Sequence, residues 1–323
     1  MGTETVLLPR LVVVLYSAEF ATMNTIVKVR IPATSANMGP GFDCLGMALD
    51  IWNTVELETG GHGFEITGEG SDQLPRDPSN MVYRGVARVF EELGRTTPSF
   101  RIVCHNDVPL TRGLGSSSAA LVGGLVAGNS VSGNLLTQSE LLDIGASIEG
   151  HPDNVVPALL GGCQVAVSHE GSVVAAPVPL PDDLSAVLFV PSAPMPTEQA
   201  RAILDPNVTR SDAVFNIGRA ALLVQALASG DLTGLAVATD DRLHQAARQT
   251  MFPAMRNLFR AALGAGALGV FLSGAGPTVL ALAQGREFTI GYEMADAAVK
   301  SGIDGQVKIT RPSKQGAHVV EGS

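Results

Sequence analysis

Residues 27–32, 51–57 and 63–67 alternate apolar and polar side chains, the period-2 pattern of strands. The run after Asp77-Pro-Ser-Asn80 changes period. Met81, Val82, Val86, Val89 and Phe90 fall on one face of a helix that the polar run caps and that ends near Leu93. A strand over 100–105 leads into a turn rich in Gly and Ser, and a helix opens at about Ser116. A second helix is predicted over 138–150 and paired strands over 163–178. The proline-rich stretch 176–183 is the best boundary between two lobes. Beyond it come a strand at 186–190, helices near 197–204, 211–229 and 253–264, and a strand pair at 269–272 and 278–283. A helix over 287–300 and a strand at 307–310 complete the pattern. Strands and helices alternate throughout, so the class is α/β or α+β in two lobes. The expected domains are 23–182 and 183–315, with a tail at 316–323.

The first 22 residues stand apart. The stretch 11–18 is apolar, but Glu4 and Glu19 flank it and only Arg10 precedes it. It falls far short of the ~20 residues that span a bilayer. Met23 sits just before the first strand, so residues 1–22 are expected to be an extension that the fold does not need.

Composition narrows the partners. Charged residues make up 16% of the chain and hydrophobic ones 46%, enough for real cores and too few charges for disorder. The net charge of −10 comes without any basic tract, which argues against nucleic acid and anionic membrane surfaces. Cys44, Cys104 and Cys163 form no Cys-x-x-Cys pair, which fits a reducing cytoplasm better than a disulfide framework.

The turn Pro109-Leu-Thr-Arg-Gly-Leu-Gly-Ser-Ser-Ser-Ala-Ala120 carries the sharpest chemistry. Gly113 and Gly115 let the backbone approach a ligand closely. The first N–H groups of the following helix lack intrahelical partners and favour an anion. Such a turn is either a serine-capped helix start or a phosphate-binding loop. The chain has only Lys28, Lys300, Lys308 and Lys314, so no lysine serves this loop and a Walker A site is excluded. A bound triphosphate would be held by backbone amides and a metal.

Four further polar segments stand between apolar elements. Asn37 and Asp43 lie on one tight loop, either an Asx-rich turn or a site for an ammonium and a hydroxyl. Glu149-Gly-His-Pro-Asp-Asn154 closes a helix and gathers polar groups that helix termination alone does not require. Thr197, Arg201 and Arg248 suit carboxylate or phosphate recognition, or else lie on solvated helix faces. A glycine turn, Ser273-Gly-Ala-Gly-Pro-Thr278, either brings the second lobe to the ligand or is a tight hairpin.

Taken together, Ala33-Thr-Ser-Ala-Asn-Met-Gly-Pro-Gly-Phe-Asp43, the 109–120 loop, Glu149-Gly-His-Pro-Asp-Asn-Val155 and Ser273-Gly-Ala-Gly-Pro-Thr278 resemble the GHMP kinases, and within them the homoserine-phosphorylating branch. The likeness runs from about Val27 to Ile309. It implies a GHMP kinase N-terminal α/β domain followed by a ferredoxin-like C-terminal domain. It implies that Pro109, Leu110, Thr111, Arg112, Gly113, Leu114, Gly115, Ser116, Ser117, Ser118 and Ala119 wrap the phosphates of ATP, with Asn80 near the adenine. Ser116 and Glu149 would hold Mg²⁺, with Asp143 as the alternative carboxylate. Asn37 and Asp43 would bind the amino end of L-homoserine, and Asn154 would lie near its hydroxyl. Arg201 and Arg248 would clamp its carboxylate, with His151 and Thr197 close by. Asp43, Ser116, Glu149 and Asn154 form the expected catalytic set, and the likeness alone suggests a homodimer. Met38 and Ala246-Ala247 depart mildly from the family's usual residues.

Overall fold

The computed structural model describes residues 25–322; the expected extension at 1–22 lies outside them. The first lobe runs β1 (Ile26–Ala36), β2 (Leu45–Thr59), β3 (Gly63–Gly68), α1 (Met81–Glu92), β4 (Phe100–Asn106), α2 (Ser116–Val131), α3 (Gln138–Glu149), α4 (Val155–Leu160), β5 (Cys163–His169) and β6 (Ser172–Val178). The second runs β7 (Ser185–Pro191), α5 (Thr197–Ala202), α6 (Arg210–Ser229), α7 (Leu235–Ala238), α8 (Gln245–Arg248), α9 (Met255–Gly264), β8 (Gly269–Leu272), β9 (Val279–Ala283), α10 (Glu287–Lys300) and β10 (Gly305–Thr310). The chain then returns to the first lobe as β11 (His318–Gly322).

The first sheet has the order β11-β1-β2-β4-β3, and β5 pairs with the start of β2. Only β3 and β4 run parallel; the other pairs are antiparallel. The second sheet, β10-β7-β9-β8, is antiparallel throughout. In chain order its strands lie 4-1-3-2 with helices between, the split βαββαβ of a ferredoxin-like lobe.

Two expectations are corrected. β1 was predicted to stop at Pro32, but it continues through Ala36, where Ala33 to Ala36 are buried and pair with Leu49 to Gly46. Small and hydroxyl-bearing residues give little strand signal alone, and pairing with a buried partner overrides that. The residues expected to form a tail at 316–323 instead supply β11, which pairs with β1. So short a strand becomes visible only through a partner almost the whole chain away. The helix α4 was also not foreseen; it is a single short turn-and-a-half with Pro157 inside it.

Three cores hold the molecule. One lies between the first sheet and α1 and α2, with Val29, Ile31, Val86, Leu121 and Leu125. A second lies under α9 and α10 on the outer face of the second sheet. The third joins the lobes: Met38, Met47 and Leu49 meet Leu188, Phe271, Leu280 and Leu282. Cys104 and Cys163 are unpaired, and burial pushes both thiols up to about 12, so they pack as small apolar groups.

Candidate active site

The loop before α2 owes its shape to two glycines. Gly115 caps α2 with φ 67°, and a Cβ there would lie 1.9 Å from Thr34 Oγ1. At Gly113, φ 75°, a Cβ would lie 2.1 Å from the Ser273 carbonyl oxygen of the second lobe. The carbonyls from Thr111 to Leu114 are tied back. Thr111 O accepts from Met195 N, Arg112 O from Thr278 N, Gly113 O from Ser273 Oγ, and Leu114 O from Thr34 N. The N–H groups from Gly113 through Ser118, by contrast, donate to nothing among the described residues. A loop with its acceptors occupied and its donors open is an anion cradle that needs no lysine.

Two adjoining cavities meet at this loop, and Thr111, Ser116 and Ser117 line both. One is largely apolar, with Ile66, Leu74, Pro75, Met81, Val82 and Leu110. The other, of about 120 Å³, is charged and holds Glu149, His151, Asp153, Arg201 and Arg248.

The charged cavity is built from both lobes. Asp43, at φ 56°, forms a two-pronged ion pair with Arg201, at 2.6 and 3.0 Å. That bond raises the Arg201 pKa, against its partial burial. Asn37 sets Asp43 in place. Its Oδ1 accepts from Asp43 N at 3.0 Å, and its Nδ2 donates to Gly274 O at 2.8 Å. His151 Nδ1 bonds Asp153 Oδ1 at 2.6 Å. Burial opposes charge on that ring, yet Asp153 outweighs it and raises the His151 pKa. Thr34 Oγ1 donates to Asn154 Oδ1 at 2.7 Å, which aims the Asn154 amide.

Arg248 is only 1% exposed. Its Nε donates to Ala200 O at 3.1 Å, and its Nη1 to Gly274 O at 3.0 Å and His244 Nδ1 at 2.9 Å. Nη2 makes no hydrogen bond among the described residues, so a ligand oxygen in the cavity has a donor waiting. Burial, then Arg201, push the Arg248 pKa down to about 10, still charged at neutral pH. Accepting from Arg248 requires a neutral His244, whose Nε2–H then donates to Gly39 O at 2.8 Å.

The His244 pKa is pushed down to about 4, chiefly by burial, with Arg248 adding to this and Asp241 and Asp43 opposing it. A histidine in the unfolded chain protonates near 6.5. Between about 6.5 and 4 the unfolded state therefore binds a proton that the folded state refuses, and stability falls as pH falls. Melting temperature should accordingly drop faster on acidification in the wild type than in His244→Gln, narrowing the gap between them. A gap that stays constant from pH 7 to pH 4.5 would disprove a neutral His244.

Most of the residues expected from the sequence gather here. Asn37, Thr111, Gly113 to Ser118, Glu149, His151, Asn154, Thr197, Arg201 and Arg248 line the charged cavity. Asn80 lines the apolar one, but its side chain caps α1 through Val82 N and donates to Pro75 O, leaving only its edge for a base. Pro109 and Ala119 are buried and line neither cavity. The Arg112 guanidinium turns away to the carbonyls of Pro191 and Ser192. Glu149 accepts from Ser118 Oγ at 2.9 Å and Ser117 Oγ at 3.3 Å; Ser116, expected to share a metal with it, lines the same cavity without bonding it. Asp143 accepts from Val173 N and ties α3 to β6, away from both cavities. Sequence reasoning gave Asp153 no role of its own within its polar run and passed over His244. The first sits inside the polar run 151–154, and the second stands four residues before Arg248, one helical turn away.

Residues 80–162 match the model of the GHMP kinases N terminal domain, and residues 223–298 that of the GHMP kinases C terminal domain. The two-lobed fold and its lysine-free loop are thus those of a GHMP kinase. The homoserine kinase of Desulfitobacterium hafniense is 42% identical over 91% of this chain and 100% of its own length. That of Moorella thermoacetica is 42% identical over 90% of this chain and 99% of its own. A crystal structure of homoserine kinase from Cytophaga hutchinsonii superposes with a TM-score of 0.84 at 31% identity, covering 93% of this chain and 98% of that one. The chain belongs to the homoserine kinase family.

Proposed function

We propose that the protein transfers the γ-phosphoryl group of ATP to the hydroxyl of L-homoserine, giving O-phospho-L-homoserine and ADP, the step before threonine formation. The charged cavity beside the phosphate cradle carries this reading. Asp153, Arg201 and Arg248 line it, and Asp43 stands beside it, bonded to Arg201. A zwitterionic amino acid brings one charge of each sign and leaves that balance unchanged. Its carboxylate takes the open Nη2 of Arg248 and a share of Arg201, and its ammonium takes the Asp43 side. A hydroxy acid without an ammonium, such as mevalonate, would add a negative charge next to two carboxylates.

The apolar cavity takes the nucleoside, with Leu74, Pro75, Met81 and Leu110 around the base. The amides of Gly113 to Ser118 take the phosphates. Mg²⁺ fits the donor set at Glu149, one carboxylate with the Ser117 and Ser118 hydroxyls, since it prefers few protein oxygens alongside phosphate and water. When bound there it would neutralise charge on the β and γ phosphates.

The transition state of phosphoryl transfer is loose, so positioning and charge do most of the work. The substrate hydroxyl lies between the cradle and Asn154, in line with the γ phosphorus. No carboxylate here is a free base: Asp43 is held by Arg201, Asp153 by His151, and Glu149 by two serines. The hydroxyl proton passes to a phosphoryl oxygen or to solvent. The family likeness suggests a homodimer. Among the described residues no helix is long and apolar enough to cross a membrane, and a cytoplasmic location fits the unpaired thiols.

ADP release measured over a panel of small alcohols tests the assignment. Homoserine should be turned over fastest, with ³¹P resonances of a phosphate monoester appearing on it. Faster turnover of mevalonate or shikimate under matched conditions would sink it.

A further inference from the structure

We propose that Arg112 is a positioning residue that couples the nucleotide cavity to the amino-acid cavity, acting as a strut between the lobes and not as a phosphate ligand. The inference rests on the kinase reading above and adds a role for a residue that lines neither cavity.

The guanidinium of Arg112 grips main chain on both sides. Toward the second lobe, Nε donates to Pro191 O at 2.8 Å and Nη2 donates to Ser192 O. Toward its own loop, Nη1 donates to Leu110 O at 2.9 Å and Thr111 Oγ1 at 3.2 Å. Both far ends lead to ligand-facing residues. Leu110 and Thr111 line the apolar cavity. Pro191 and Ser192 begin the segment that runs through Met195 into α5, which carries Thr197 and Arg201 of the charged cavity. Met195 N returns a bond to Thr111 O at 3.1 Å, closing the link.

The loop at the junction is under strain. Thr111 is β-branched yet sits at φ 51°, a left-handed conformation that such residues avoid and keep only when their surroundings impose it. The grip of Arg112 on Leu110 O and Thr111 Oγ1 is one such constraint. With four acceptors around one planar group, a shift of the loop on nucleotide binding moves residues 191–201 with it. Four of the five guanidinium N–H groups are already taken by these acceptors, and Arg112 lines neither cavity, so the group is committed to main chain and not to phosphate. A lysine ammonium in the same place keeps the charge but cannot span both sides.

The test is a binding cycle on the intact protein. Homoserine affinity is measured with and without a saturating non-hydrolysable ATP analogue, in the wild type, Arg112→Lys and Arg112→Met. In the wild type the analogue should change homoserine affinity by about fivefold or more, and homoserine should change analogue affinity by the same factor. In both variants the factor should shrink to below about twofold, with each single-ligand affinity little changed. Hydrogen exchange of residues 191–202 on adding the analogue alone gives a readout that does not depend on the amino acid. It should show protection in the wild type and none in Arg112→Lys. Full coupling in Arg112→Lys overturns the strut, as does a wild type with no coupling. A tenfold or larger loss of analogue affinity alone in Arg112→Lys and Arg112→Met would make Arg112 a phosphate ligand instead. Should Arg112→Met not fold, Arg112→Lys decides. If the wild type binds the analogue and protects 191–202 but never binds homoserine, the substrate assignment fails while the strut stands.

Discussion

Arg248→Ala should weaken homoserine binding by roughly 2–5 kcal/mol, the range for truncating one partner of a buried charge pair. That is about 1.5 to 3.5 decades in affinity, at ~1.4 kcal/mol per decade. Two effects add. The substrate carboxylate loses the open Nη2, and the Ala200 carbonyl and the ring of His244 lose their Arg248 donor, while Gly274 O keeps Asn37 Nδ2. The second effect also lowers the melting temperature, because buried acceptors are left unpaired. ATP affinity should hardly move, since Arg248 makes no hydrogen bond to the 109–118 loop. Arg248→Lys should recover only part of the loss, because a point charge cannot hold Ala200 O, Gly274 O and His244 together. Homoserine lactone lacks the carboxylate and should discriminate poorly between wild type and variant. Calorimetric binding constants for both ligands decide the matter. Falling ATP affinity with intact homoserine affinity would assign Arg248 to the nucleotide and break the proposed division between the cavities.

Glu149→Gln should lower kcat by about two to three decades, several kcal/mol of charge stabilisation at the reacting phosphates. The amide keeps the volume of the side chain, and its Oε1 can still accept from a serine hydroxyl, so the fold should be barely disturbed. The requirement for Mg²⁺ should shift to higher concentration, because one carboxylate ligand is gone. Initial rates across a magnesium titration, together with the melting curve, separate the chemistry from stability. A variant with wild-type kcat at limiting Mg²⁺ would show that the metal is held elsewhere.

Much of this site can be read along the chain because its parts are local. The loop 109–118 announces itself by glycine and serine, and the end of α3 by the polar run that follows it. The helix α10 spans the residues that its apolar period marks out. What sequence leaves open is the direction in which a side chain points. Arg112 sits in the middle of the loop, yet its charge goes to carbonyls of the other lobe. Asp43 and Arg201 were read as separate contacts for opposite ends of a substrate, yet they bond each other first. Ser117 and Ser118, not Ser116, face Glu149 because the αL cap at Gly115 fixes where α2 begins and so the rotation of its first turn. Each choice is made by a tertiary contact, and local pattern has no access to it.

The pairing of β11 with β1 bears on how the molecule is made. Val27 lies opposite Gly322, so one border of the first sheet is written by the two extremes of the described chain. During synthesis β1 is made long before β11, and its outer row of N–H and C=O groups waits for residues 318–322. An unpaired border of this kind is open to other strands. Contacts between residues so far apart in sequence also form late, because the long loop between them has to close first. Residues 318–322 therefore act as a seal: the border of β1 stays sticky while the long stretch between the two strands is made and is covered only when they pair.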